Sequence, residues 1–277
     1  MQKSTSAQRR EADQLLCARI ADLVKQMEKN NYPCFTRFLD EREQALAEKT
    51  LRSLSVCKEQ YYFWTGFSHQ DSGEGHIGAV GRRMLGIFPD YLALTEGMDK
   101  AILEEQFPIK AVTLSYRSKD ALTHRDILGA LMGLDIKREL VGEILTGDDF
   151  SVIFCTETAQ QLILSELDKA GRAGLRKQDG YSEPLPPMYR LEYQTGTVSS
   201  LRLDCAVSLA LNVSRDKSAS LIEGGLVNLN FFEENKISKE VREGDILSIR
   251  GYGRYVLSQV GSLSKKGRIH LTVGKYI

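Results

Sequence analysis

The chain has 277 residues, of which 42% are apolar and 27% charged, with equal numbers of acidic and basic side chains. That is the composition of a globular protein large enough for two or three domains. A run of about 18 apolar residues is absent, which excludes a helical membrane span. The first residues, MQKSTSAQRREADQ, carry charge with no apolar stretch behind it, so no secretory leader is expected.

In chain order, residues 7–29 read as a helix, with Leu16, Ile20, Leu23, Val24 and Met27 on one stripe and Asn31-Tyr32-Pro33 ending it. A second helix is predicted after Asp40, with Glu43 at capping-box spacing and Leu46, Leu51 and Leu54 following. Tyr61 to Phe67 is aromatic and strand-like, and loop residues follow from His69 to Gly75.

The middle, residues 76–180, alternates strand and helix patterns. Lys110 to Tyr116 and Phe150 to Cys155 read as strands, with helices predicted over 123–133 and 156–170. This implies an α/β layer of ferredoxin-like size. Gly171 to Pro187, rich in Gly, Lys and Pro, reads as a linker.

Several motif echoes lead nowhere. Gly73-Glu74-Gly75-His76-Ile77-Gly78 fits a dinucleotide fingerprint but is displaced from its preceding strand by SHQDS, so a plain loop explains it better. His76-Ile77-Gly78 lacks the second histidine of a synthetase signature, because position 79 is Ala. His124-Arg125-Asp126 and Asp149-Phe150 imitate kinase elements, but Leu131 stands where the metal-binding Asn belongs and Ser151 where Gly does. A capped amphipathic helix with Ile127, Leu128, Leu131 and Leu134 inward accounts for that segment. Arg125, Lys137 and Arg138 then become candidate secondary anion contacts or ordinary surface charges. The five cysteines are scattered and odd in number, as in a reducing compartment, and four isolated histidines form no metal site. No catalytic constellation, metal or cofactor is expected.

The last third is the informative part. Leu203, Ala206, Val207, Ala210 and Leu211 mark the buried face of one helix, and Leu221 and Ile222 that of a second. Ser214 suits an N-cap and Gly224-Gly225 a helix stop, while Val227 and Leu229 alternate with Asn228 and Asn230 as in a half-buried strand. Arg215 and Lys217 fall in the first turn of the second helix, where the helix dipole favours acids. An uncompensated cation pair there makes sense if an outside anion such as phosphate completes the site. Solvation, with Asp216 offsetting the charge, is the plainer alternative. Further strands are predicted over Ile246 to Arg250, Tyr255 to Gln259 and Arg268 to Val273. Arg250 to Arg254, RGYGR, offers two cations and a tyrosine at a turn, where Tyr252 could stack on an unpaired base. Lys265, Lys266 and Arg268 form another basic turn. From Gly196 onward the chain holds 12 Lys and Arg against 8 Asp and Glu, whereas the remainder holds 25 against 29. A mildly basic module on an acidic body suits local docking to RNA.

Arg202-Leu203-Asp204, Ser214-Arg215, Lys217-Ser218, Leu221-Ile222, Gly224-Gly225, Val227, Asn230 and Glu243-Gly244-Asp245-Ile246 together resemble the S4 RNA-binding domain of ribosomal and tRNA-handling proteins. Ahead of them lie Phe38-Leu39-Asp40-Glu41-Arg42-Glu43, Phe88-Pro89-Asp90-Tyr91 and the block from His124 to Leu131. With Val198 to Asp204, these are similar to the YlmH family of bacterial S4 proteins over nearly the full length. Asp is common in that family where Glu143 stands, and a Gly-Gly pair where this chain has Thr65-Gly66.

The resemblance implies an α+β protein: a helical N-terminal region (1–75), a ferredoxin-like ribosome- or RNA-binding domain (76–180), then a linker and S4 domain (181–277). It implies a cytoplasmic, non-enzymatic factor that binds rRNA and tRNA on the large ribosomal subunit, in rescue of stalled translation, with a link to cell division and no membrane partner. The candidate RNA contacts are Arg202, Ser214, Arg215, Lys217, Ser218, Asn230, Arg250, Tyr252, Arg254, Lys265 and Lys266, with Arg125, Lys137 and Arg138 as secondary candidates. The rival reading is an RNA-modifying enzyme with its active site in the middle domain.

Overall fold

A computed structural model of the chain describes residues 6–68, 81–94, 100–264 and 267–277. These residues form two compact units meeting in sequence between Met188 and Tyr189.

The first unit begins with α1 (Ser6–Asn30), β1 (Cys34–Leu39), α2 (Glu41–Ser53), β2 (Tyr61–Trp64) and β3 (Arg83–Ile87). The region expected to be helical therefore carries two strands, β1 and β2, which with β3 form an antiparallel sheet in the order β1-β3-β2. Cys34–Leu39 escapes a sequence reading because its Thr and Arg interrupt the apolar run. Strand β3 pairs with both neighbours, so residues on either side of position 75 build one sheet. The stripe of α1 is buried as expected. Ile20, Val24 and Met27 pack on Ala47 and Leu51 of α2 and on Leu85 and Ile87 of β3. The α2 start is a capping box: the Asp40 carboxylate accepts from Glu43 N–H at 2.8 Å, and Glu43 accepts from Asp40 N–H at 2.7 Å.

After α3 (Lys100–Glu104) come β4 (Ile109–Ser115), α4 (His124–Gly133), β5 (Val141–Thr146), β6 (Phe150–Thr156), α5 (Glu157–Glu166), β7 (Lys169–Ala170), β8 (Ala173–Gly174) and β9 (Arg176–Asp179). The four long strands form an antiparallel sheet in the order β5-β6-β4-β9. Leaving out the small β7–β8 hairpin, the chain runs strand–helix–strand–strand–helix–strand through this layer, the split βαβ pattern. Val112, Leu114, Ile153 and Cys155 on one face pack with Ile127 and Leu131 of α4 and Ala159 and Ile163 of α5. The opposite face carries Ala111, Val152 and Phe154, with Phe67 stacked on Phe154 at 4.5 Å. Gly142 of β5 is where Phe38 lies: a Cβ there would come within 2.5 to 2.9 Å of three ring atoms.

Two expectations are corrected here. Helix α5 stops at Glu166, four residues short, because Leu167 leaves helical geometry to enter the hairpin. The expected linker is also partly ordered sheet: β8 and β9 lie inside it, and β9 pairs with β4. Its glycines reflect a tight turn, with Gly171 at φ +59°, and not a flexible tether.

The second unit contains β10 (Leu191–Val198), α6 (Leu203–Leu211), α7 (Arg215–Glu223), β11 (Val227–Leu229), β12 (Phe232–Glu233), β13 (Ile246–Ile249), β14 (Gly253–Leu263) and β15 (Ile269–Tyr276). Its sheet is antiparallel, in the order β10-β15-β14-β13-β11-β12. Leu203, Ala206, Val207 and Ala210 of α6 and Leu221 and Ile222 of α7 share one core with Leu247, Ile249, Leu257, Leu271 and Val273 of the sheet. Ser214 caps α7, as its sequence position suggests, accepting from Lys217 N–H. Among the described residues no helix is long and apolar enough to cross a membrane.

Candidate nucleic-acid interface

The two helices of the second unit begin side by side, and their first turns are tied by charge. Asp204, in the first turn of α6, is a buried carboxylate with only 5% of its side chain exposed. Arg215, the first residue of α7, donates to its Oδ2 through Nη2. Arg202, the N-cap of α6, donates through Nε to Oδ1 at 3.1 Å and through Nη2 to Oδ2 at 3.4 Å. Burial pushes the Asp204 carboxyl up, but the Arg215 hydrogen bond and charge, joined by Arg202, outweigh it. The net effect holds it below the usual carboxylate value. The same hydrogen bond raises Arg215.

This corrects the premise of an uncompensated cation pair. The compensating acid lies eleven positions before Arg215 and not beside it. It leaves both guanidiniums accessible, since the side chains of Arg202 and Arg215 remain 41% and 52% exposed. One carboxylate thus orients two half-exposed arginines beside the exposed Lys217 and Ser214. Lys217 makes no ion pair among the described residues.

Other candidates fall elsewhere. Ser218 is fully buried, its hydroxyl donated to the carbonyls of Asp204 at 2.9 Å and Arg215 at 2.8 Å. It fastens α7 to α6 and has no surface to offer RNA. Asn230 spends both ends of its amide: Nδ2 donates to Asp245 at 2.8 Å and Oδ1 accepts from Ile246 N–H at 2.9 Å. It shapes the loop, with φ at +48°. Arg250 and Tyr252 are exposed in the β13–β14 turn, and Arg250 N–H bonds to Leu226 just beyond α7. They therefore sit near the far end of α7, roughly 13 Å from its start for a nine-residue helix. Arg254 lies over the Phe231 ring at 5.8 Å. Lys265 and Lys266 lie outside the described residues, as do the glycines from Gly73 to Gly78.

In the first unit Arg125 and Lys137 are exposed. Arg138 is not a free surface cation. Its Nη1 donates to the carbonyls of Val141 at 2.6 Å and Gly142 at 3.1 Å. Burial, then the nearby charge of Arg82, push it down to about 10. Arg82 donates to the Phe38 carbonyl at 2.7 Å, and its backbone N–H donates to Glu143, whose carboxyl is raised by burial. This cross-sheet network escaped the sequence reading because no local pattern links positions 82, 138 and 143. Asp126, of the kinase-like triplet, completes the capping box of α4, accepting from the N–H of the N-cap Thr123 at 2.9 Å.

A family model described as "Putative RNA-binding domain in YlmH" matches residues 103–180. That span holds the four-stranded layer with α4, α5 and the β7–β8 hairpin. The chain is also similar to the "Ribosome-associated protein quality control protein P2" of Bacillus subtilis, 32% identical over 240 residues, covering 86% of this chain and 85% of the relative. The chain belongs to the YlmH family. Among solved structures it is similar to a "Cell division protein ylmH" from Streptococcus pneumoniae, with 20% identity, a TM-score of 0.45, and coverage of 65% of this chain and 95% of the other.

Proposed function

We propose that this YlmH-family protein is a non-enzymatic, ribosome-associated RNA-binding factor. Its second unit acts as an S4-type module that grips structured RNA by its phosphates. The observation that carries the reading is the shared Asp204 carboxylate, which holds Arg202 and Arg215 half exposed at two adjacent helix starts. Helix N-terminal amides and guanidinium forks together recognise phosphate oxygens. Lys217 adds an exposed cation, and the Ser214 side chain accepts from its backbone N–H. Arg250, Tyr252 and Arg254 supply a second contact at the other end of α7. Both the matched RNA-binding family model and the ribosome-associated relative support an RNA partner on the ribosome.

In the finer reading the partners are rRNA of the large subunit and tRNA, in the rescue of stalled translation within the cytoplasm. A cell-division phenotype would follow indirectly, through translation.

Sedimentation of the full chain with purified ribosomal subunits tests this. The protein should travel with the large subunit and be released by raised salt. Protein that remains at the top of the gradient with both subunits, at low salt, overturns the proposal.

A further inference from the structure

We infer that the hairpin spanning Asp168 to Arg176 is a second RNA-backbone contact, gripping phosphates with Lys169, Arg172 and Arg176. It rests on the RNA-binding reading above, but it assigns a contact to the family-matched layer, where Arg138 is already committed internally.

The register makes the case. Lys169 pairs with Gly174, and Ala170 with Ala173. Both alanines are buried, 0% and 2% exposed, in the core beneath α4 and α5. The hairpin is thus anchored by one face, and the other points outward. Its outward residues are Lys169, Gly174 and Arg176, with Arg172 at the turn, all exposed. The residue opposite Lys169 is a glycine, with Arg172 two positions before it at the turn and Arg176 two positions after it.

Three cations around a residue without a side chain repel one another. Asp168, paired with Lys177 at 2.8 Å and also held down by the charge of Lys169, offsets only part of this positive charge. Among the described residues Lys169, Arg172 and Arg176 make no ion pair. An external polyanion would relieve that repulsion.

Gly174 points the same way. Nothing lies within 4 Å of where its Cβ would be, and its φ is not positive, so neither packing nor backbone geometry requires glycine. The exposed glycine leaves the space between the three cations open. The platform is rigid. Leu175 N–H bonds to the Asp168 carbonyl at 2.9 Å, and Arg176 pairs with Ser115 in the main sheet. Gly171, at positive φ in the first central position, provides the two-residue turn that aims Arg172 outward.

The test uses the full chain and deproteinised total ribosomal RNA, with affinity measured across a salt series. Each phosphate contact contributes about 0.7 to 0.9 to the slope of log affinity against log salt. The triple variant K169A/R172A/R176A should flatten that slope by about 2 to 3. A charge-matched control on α1, R19A/K25A/K29A, should leave it unchanged. Gly174→Lys and Gly174→Glu add chains of similar bulk in the same open space. The first should tighten binding and the second weaken it. An unaltered slope in the hairpin variant, an equal loss in the control, or identical effects of Lys and Glu at 174 overturns the inference. Should the Arg215/Lys217 variant lose binding while the hairpin variant does not, this contact alone falls. Wild-type binding by both variants removes the RNA reading with it.

Discussion

The Asp204 carboxylate and the Arg215 guanidinium join the first turns of α6 and α7, across eleven residues of sequence. The pair does two jobs at once. It neutralises a cation at a positive helix end, and it fixes the direction of a side chain that is still half exposed. A half-exposed, oriented arginine is better prepared for phosphate than a freely rotating one, since less side-chain entropy is lost on binding.

The stability of the second unit should therefore depend on acid. In an unfolded chain Asp204 would titrate near about 3.9, and in the folded protein it titrates lower. Its contribution is thus fully present above the unfolded value and is lost as pH falls through the folded one. Denaturant titrations between pH 6 and about 2.5 should show that loss in the wild type. Asp204→Asn should lose about 1–3 kcal/mol near neutral pH, for charged hydrogen bonds weakened in a buried place. It should also show a shallower acid limb, and an identical limb in both proteins would contradict the assignment.

Ser218→Ala tests whether that residue is a fastener. Its hydroxyl serves two backbone carbonyls and is sealed from solvent. The variant should cost about 1–2 kcal/mol. Its RNA affinity should match the wild type under conditions where it is folded. Lower affinity at full folding would return Ser218 to the binding surface.

Gly142→Ala should cost about 1–3 kcal/mol, because a methyl group cannot share space with the Phe38 ring without displacing it. The double variant with Phe38→Leu should recover part of that loss, as measured by thermal unfolding. Independent, additive losses would show that the two positions do not compete for the same volume.

Features with a local cause are legible in the sequence of this chain. Helix α2 with its Asp40–Glu43 box, α4 capped by Thr123, and the inward faces of α6 and α7 all follow from spacing over a turn or two. Ser214 as a cap follows in the same way. Long-range pairing did not. Strand β1 has no alternation to announce it, and β3 finds its partners across α2 and across the residues that follow β2. The Gly-rich stretch after α5 reads as a tether until Ala170 and Ala173 are seen buried and β9 paired with β4. At the site, the cations at 202, 215 and 217 were legible, but their shared anion was not. Ser218 and Asn230 have side chains typical of RNA contacts, yet both serve internal hydrogen bonds.

Removal of the first-turn cations is the direct test of the account. Binding of the full chain to ribosomal RNA should be measured over a salt series for wild type, Arg215→Ala/Lys217→Ala and Asp204→Asn. The double variant should bind more weakly, with a slope flatter by about 1.4 to 1.8 for two lost contacts. Asp204→Asn, which keeps both guanidiniums but weakens their tether, should retain the wild-type slope at reduced affinity. A folded double variant with unchanged affinity and slope would contradict the central claim.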